Sequence, residues 1–233
     1  MRKAGSSDIE CLKSISYFRS LPPVELRRLA AACTARTLRR GEVLFDEGES
    51  CRGLFIIAEG SIEVRQISFH GREQVLHTEG PGATLGESPL FDRGAYIASA
   101  VALEPTRALF LPRANLLDLC HRHPAVALAM LETLARRLRS FAGLVGDLAF
   151  RSITERLARY IASMAATGHP IATGIEVTLR LTQTQLAARL GTVRELVSRA
   201  LSQLERDGII ARTRTRIVIR DPVRLDARAR GES

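Results

Sequence analysis

The stretch Leu181–Ile210, LTQTQLAARLGTVRELVSRALSQLERDGII, reads as two short helices hinged at Gly191. Leu186, Ala187 and Leu190 give the first an inner face. Val193, Leu196, Val197, Ala200, Leu201 and Leu204 give one to the second, at the three-and-four spacing of a buried stripe. Thr182 with Gln185, and Thr192 with Glu195, have the spacing at which a hydroxyl and a carboxyl or amide satisfy free amides at a helix start. Arg194, Glu195, Ser198, Arg199 and Ser202 remain on the outward face of the second helix. Arginine can fork onto a guanine edge and glutamate can accept from cytosine, so this face suits the reading of a DNA major groove. A charged helix face is usually only a solvated one, and the neighbouring segments decide between the two.

Downstream, Gly208 is followed by Ile209-Ile210, a basic tip from Arg212 to Arg216 and the run Ile217–Ile219, which together predict a hairpin. A hairpin behind a two-helix unit is a wing, and arginines such as Arg214 and Arg216 can clamp phosphate. Thr182, Gln183 and Thr192, at the two helix starts, join the candidate DNA-binding residues. Upstream, Ile175–Leu181 alternates like a strand and 168–174 reads as a loop. Ser152 with Glu155 starts a helix that runs through Ala165. The break at 149–152 is the expected hinge. The charged tail after Asp221 is expected to be frayed.

From Pro124 a helix of about 25 residues, roughly 38 Å long, carries Leu131, Leu134, Leu138, Phe141, Val145 and Leu148 at the alternating step of a heptad seam. A helix packing only on its own domain would show a 3.6-residue stripe instead, so these six are read as a dimer interface. Before it, residues 9–36 look helical, with prolines near a helix start at Pro22-Pro23, and 112–123 is a short helical connector. Between Gly41 and Leu111, short apolar runs separated by glycine turns predict an antiparallel sandwich or barrel, with a hairpin tip at Phe69-His70-Gly71.

The formal charge of +9 is concentrated at one end. From Arg151 onward there are fifteen arginines, no lysine and eight acidic residues, a net +7. A basic C-terminal third is the electrostatic footprint of a nucleic-acid binder. No run approaches the eighteen or so apolar residues of a membrane span, and MRKAGSSDIE lacks the apolar core of a signal peptide, so a cytoplasmic protein is expected. Cys11, Cys33, Cys51 and Cys120 have no zinc-like spacing, and no metal site is expected. His70 and His77 do not make a catalytic metal constellation, and no Ser–His–Asp or Cys–His grouping is evident, which argues against an enzyme.

A β domain, a heptad helix and a winged helix-turn-helix, in this order, resemble the cyclic-AMP-receptor/fumarate-nitrate-regulator (Crp/Fnr) family of transcription regulators. The resemblance spans about Ile9 to Leu225. Its most specific pieces are Gly86-Glu87 with Leu90-Phe91, Leu148-Ala149-Phe150 and GTVRELVSRAL. It implies an α+β chain with a cyclic-nucleotide-binding-like β jelly roll at 1–123, a dimerisation helix and hinge at 124–150, and a DNA-binding winged helix-turn-helix at 151–233. It also implies a homodimer on double-stranded DNA, with RNA polymerase as a partner. One branch reads TGTGA half-sites with residues matching Arg194, Glu195 and Arg199. The other reads TTGAT with residues matching Glu195, Ser198 and Arg199. This chain carries both sets, so the half-site stays open between them.

The same resemblance places the effector pocket at Leu76, Leu85, Gly86, Glu87, Ile97, Ala98, Ser99 and Phe141. Cyclic-nucleotide binders carry an Arg-Ser or Arg-Thr pair where Ile97-Ala98 stands, and the adenine-bonding positions are Phe141 and Ala142, which offer no side-chain donor or acceptor. Burying a phosphate without a cation is costly, so an effector other than cyclic AMP, or none, is expected. The alternative is a cyclic-nucleotide-responsive regulator with a non-standard phosphate contact such as Arg93. Where cyclic AMP is not the effector, Glu87 is expected to survive as the structural cap of a turn. No cofactor is predicted; haem stays open as a minor reading through His77 or Cys120, His121 and His123, which are axial-ligand types.

Overall fold

The structure is a computed structural model that describes residues 6–71, 73–166, 168–179, 181–213 and 216–232. It divides into two compact units, one formed by the residues up to Ser68 together with Val75–Phe141, the other by Phe69–Gln74 with Ala142 onward.

The first unit begins with helices α1 (Ser6–Ser14) and α2 (Pro23–Ala32), continues through β1 (Thr34–Leu38), β2 (Val43–Phe45), β3 (Gly53–Glu59), β4 (Ile62–Ile67), β5 (Glu73–Glu79) and β6 (Thr84–Leu85), and then enters α3 (Glu87–Asp92). Strands β7 (Ser99–Ala102) and β8 (Thr106–Pro112) lead to α4 (Arg113–Arg122) and α5 (Pro124–Phe150). The strands make two four-stranded sheets, ordered β1-β8-β3-β6 and β2-β7-β4-β5. The expected sandwich is therefore present.

Its first sheet is buried on both faces. On β3, Leu54 and Ile56 pack with Leu12, Phe18, Leu29, Leu116 and Met130 of the helices, while Phe55 and Ile57 point between the sheets to Leu38, Val64 and Ala100. That double burial explains the unbroken apolar run GLFIIA, which an exposed sheet would have interrupted with polar residues. The helical reading of 9–36 is corrected: the backbone turns after Ser14, and the chain is a strand from Thr34. Thr34–Leu38 pairs antiparallel with 106–110 of β8, and that ladder takes the backbone groups a helix would have used.

The second unit holds α6 (Ile153–Ala165), the strands β9 (His169–Ile171) and β10 (Gly174–Thr178), α7 (Gln183–Leu190), α8 (Arg194–Arg206), β11 (Ile210–Arg212), β12 (Arg216–Ile219) and α9 (Pro222–Arg230). Leu157, Ile161, Leu186, Val197, Leu201 and Leu204 close its core over the sheet β11-β12-β10-β9. The loop expected at 168–174 contains β9, which pairs with β10 through Gly174↔Ile171 and Glu176↔His169. The frayed tail is a second correction. Pro222 opens α9 and Asp221 accepts the Arg224 amide at 2.9 Å. Leu225 and Ala229, one helical turn apart, are buried in the second unit's core. Among the described residues no helix is long and apolar enough to cross a membrane.

Truncating Leu225 to alanine removes a fully buried side chain and should cost about 2–5 kcal/mol, read by denaturant unfolding of the full chain. An unchanged midpoint would mean that 222–230 does not hold the unit together.

Candidate DNA-reading face and effector cavity

The two-helix unit is built as its sequence requires. Thr182 Oγ1 accepts the Gln185 amide at 3.2 Å and Gln185 Oε1 accepts the Thr182 amide at 2.9 Å, so the first start signal is a complete capping box. Ser152 and Glu155 form the same box at the start of α6. Gly191 adopts φ +63°, a left-handed conformation that glycine takes without Cβ strain, and ends α7. The second signal fails. Thr192 stays in the turn, its amide given to Ala187 O at 2.9 Å, and Val193 is the cap residue of α8 without a side-chain bond. Because the helix starts one residue later, Val193 and Leu196 lie at the rim, 36% and 38% exposed, instead of in the core.

Arg194, Glu195 and Arg199 stand exposed on α8, with Ser198 half-buried between them. None of the three charged side chains makes a hydrogen bond or ion pair among the described residues, so all are available to an external partner. Ser202 is not: its hydroxyl accepts from Arg212 Nη2 at 3.0 Å, and Arg212 Nε also donates to Glu205 Oε2 at 3.0 Å. These bonds attach the first wing strand to the recognition helix. Of the two wing arginines expected on phosphate, Arg216 pairs with Glu176 at 2.9 Å, and Arg214 lies outside the described residues. Gln183 and Thr192 are half-buried, and Thr182 is exposed.

Within the first unit, a cavity of about 530 Å³ lies between the second sheet, α3 and the middle of α5. Leu76, Leu85, Gly86, Glu87, Ile97, Ala98 and Phe141 line it, as expected of the effector pocket; Ser99 does not. Ser99 Oγ instead accepts the Glu47 amide at 2.9 Å, because successive residues of an extended chain face opposite ways. Gly86, at φ +95°, is in the left-handed region that favours glycine, and a Cβ there would crowd Gly53 O at 3.2 Å and Tyr96 at 3.3 Å. Leu131, Leu134 and Leu138 of the heptad seam border the cavity. Along α5, Leu131, Leu138 and Val145 are 59%, 70% and 64% exposed. Leu148 is also exposed, and Leu134 and Phe141 are half-buried.

The cavity does contain a cation, which the sequence reading missed. Arg137 on α5 reaches into it, its Nη1 2.7 Å from Glu87 Oε2. Its Nη2 donates to Thr84 O at 2.5 Å and lies 3.4 Å from Glu79 Oε1. Glu87 is 1% exposed and also accepts from the Thr84 hydroxyl. Beyond the turn role expected of it, Glu87 is half of a buried ion pair. Burial pushes its carboxyl above the usual range, while Arg137 and the Thr84 bond pull it back. Arg137 was hard to find because its partners come from β5, β6 and α3, which no sequence period relates to position 137.

Arg93, the alternative phosphate contact, ends α3 in a left-handed conformation at φ +60°, is exposed, and does not line the cavity. His77 does line it, with Nδ1 3.3 Å from Glu79 Oε1. Burial raises the Cys120 thiol above its usual range, and His123 stands 4.0 Å from Glu25.

Residues 35–123 match the cyclic nucleotide-binding domain and residues 155–228 the Crp-like helix-turn-helix domain. The chain is 31% identical over 222 residues to a CRP-like cAMP-activated global transcriptional regulator of Mycobacterium tuberculosis, covering 95% of this chain and 99% of that one. It is 30% identical over 220 residues to the cyclic AMP receptor protein of Thermus thermophilus, covering 94% and 99%. Among solved structures, the c-di-GMP responsive global regulator CLP of Xanthomonas campestris superposes with a TM-score of 0.74 at 22% identity, covering 86% of this chain and all of that one.

Removing Arg137 strands a buried carboxylate. Arg137→Ala should lose on the order of 3 kcal/mol, and Glu87→Gln added to it should recover much of that. Unpaired, Glu87 binds its proton more tightly folded than unfolded, so the variant should gain stability as pH falls and lose it as pH rises through the folded pKa. Thermal melts across that range, equal at every pH, would contradict the pairing.

Proposed function

Because the chain belongs to the Crp/Fnr family, whose members are transcription regulators and not enzymes, we propose that it is a cytoplasmic homodimer that reads an inverted repeat of TGTGA- or TTGAT-like half-sites. The observation that carries the reading is the unpaired set Arg194, Glu195 and Arg199 on the exposed face of α8. Charged groups without internal partners are free to exchange water for base edges at little internal cost. The exposed apolar seam of α5 supports self-association, since a stripe of leucines in water is stabilised by a second copy. Two-fold symmetry then sets half-site centres about one helical turn apart.

We further propose that the effector is not cyclic AMP, although the Mycobacterium tuberculosis relative is named as cAMP-activated and the Thermus thermophilus one as a cyclic AMP receptor. Ile97 and Ala98 offer a phosphate no charge, and Arg137 is already held by Glu87, Thr84 and Glu79. A cyclic phosphate would have to displace a carboxylate that is itself buried, leaving Glu87 uncompensated. Leu76, Leu85, Ile97 and Phe141 suit an organic effector of modest polarity. Haem would have to use His77, the one His, Cys or Met among the lining residues. The effector acts through the seam, because Leu131, Leu134 and Leu138 border the cavity and lie on the proposed dimer face. It shifts DNA affinity only by its differential affinity for the two seam packings. RNA polymerase is the proposed partner of the DNA-bound dimer.

In gel-shift titrations, Arg199→Ala should weaken a palindromic site by about 1–3 kcal/mol relative to a scrambled one; equal weakening of both would reduce Arg199 to a phosphate or surface charge. Leu138→Glu should convert the dimer to monomer in sedimentation. Calorimetry with cyclic AMP and cyclic GMP should give no binding heat, and the protein as purified should show no Soret absorbance. Saturable heat with either nucleotide would overturn the effector reading.

A further inference from the structure

A second cavity, of about 600 Å³, opens at the other side of the β sandwich, where β1 is the edge of one sheet and β2 the edge of the other. Its origin is legible in the pairing. Thr34 sits opposite Phe110, Arg36 opposite Ala108 and Leu38 opposite Thr106, so the side chains of 34, 36 and 38 share the face that looks between the sheets. Leu38 fills that space as a core residue. Thr34 and Arg36 occupy equivalent positions without filling it, and the cavity stands beside them.

The lining has two chemistries. One is aromatic: Phe45, Phe55, Tyr96 and Phe110 all contribute. Phe45 lies against Tyr96 with ring centroids 3.8 Å apart and planes within 14°, and Phe55 lies 5.0 Å from Phe110. The other is cationic. Arg36 spans the gap between the sheet edges, donating to Leu44 O at 2.6 Å and Val43 O at 3.0 Å, so two neutral carbonyls hold it and its charge has no carboxylate partner among the described residues. Arg52 is exposed at the rim, and its guanidinium makes no hydrogen bond or ion pair among the described residues. Glu49 is the one carboxylate in the wall.

We propose that this cavity is a second small-molecule site, and that it takes an aromatic carboxylate. The aromatic wall offers apolar contact to a planar body. A guanidinium is a planar fork matched to a carboxylate and is less strongly hydrated than an ammonium. Glu49 suits a ring hydroxyl donor at the mouth. The site is separate from the effector cavity and does not rest on any reading of it. Phe45 and Tyr96 form part of both walls, so an occupant of either cavity touches the same ring pair.

The chain has three tyrosines, so fluorotyrosine-labelled protein should give three fluorine resonances, with that of Tyr96 assigned by Tyr96→Phe. Titration with 4-hydroxybenzoate should move the Tyr96 resonance saturably. Arg52→Ala, at an exposed position that should not disturb folding, should weaken binding about tenfold or more, Arg52→Lys should retain part of it, and 4-hydroxybenzamide should bind as poorly as the alanine variant binds the acid. A Tyr96 shift that Arg52→Ala leaves unchanged would place the ligand in the effector cavity and overturn the proposal. So would the absence of any shift at millimolar acid.

Discussion

A carboxylate as fully enclosed as Glu87 persists only when a cation and hydrogen bonds replace the water it has lost. Arg137 supplies the cation, and the consequence extends beyond the pair. Glu87 opens α3 directly after the left-handed Gly86, and Arg137 lies in the middle of α5, so the ion pair attaches the long helix to the turn that shapes the cavity. The same guanidinium holds Thr84 O and faces Glu79, bringing β5 and β6 to the same point. The helix that carries the exposed seam is thereby registered against the β domain. A translation of one helical turn would leave the carboxylate without its partner.

That registration also bears on what the cavity accepts. On the effector reading proposed above, a cation held by an internal carboxylate is not free for a phosphate unless the carboxylate is removed or protonated. Apolar side chains from both sheet and helix surround it. The nucleotide-binding architecture is therefore retained, while its charge is satisfied internally. The second unit has the opposite character. Two wing arginines are engaged, Arg212 with Glu205 and Ser202 and Arg216 with Glu176, while Arg194, Glu195 and Arg199 have no partner among the described residues.

Much of the chain was legible from local pattern. The capping boxes at Ser152 and Thr182, the glycine at 191 and the stripe Val197–Leu204 each concern neighbours within one or two helical turns, and each formed as read. The readings that failed were decided by a distant strand, by the core, or by a neighbouring turn. The helical reading ran on to residue 36, yet the free ladder of β8 took Thr34–Leu38 as a strand. The tail carried alternating charge that suited disorder, yet Leu225 and Ala229 share a helix face and a core to bury it in. At Thr192 the capping spacing was right, but the turn at Gly191 used the residue first.

The sequence by itself determined the order of the parts, the β domain, the long helix with its seam, and the winged two-helix unit. It also determined that Arg194, Glu195 and Arg199 lie outward on α8. Those properties follow from period and from caps, which are short-range. The tertiary structure alone decided that Arg137 neutralises Glu87, that Ser99 faces away from the cavity, and that Arg36 and Thr34 leave space between the sheets. Each of these depends on which residues from separate strands and helices share a desolvated volume. In such a volume the strength of a charge is set by its enclosure, which no local pattern records.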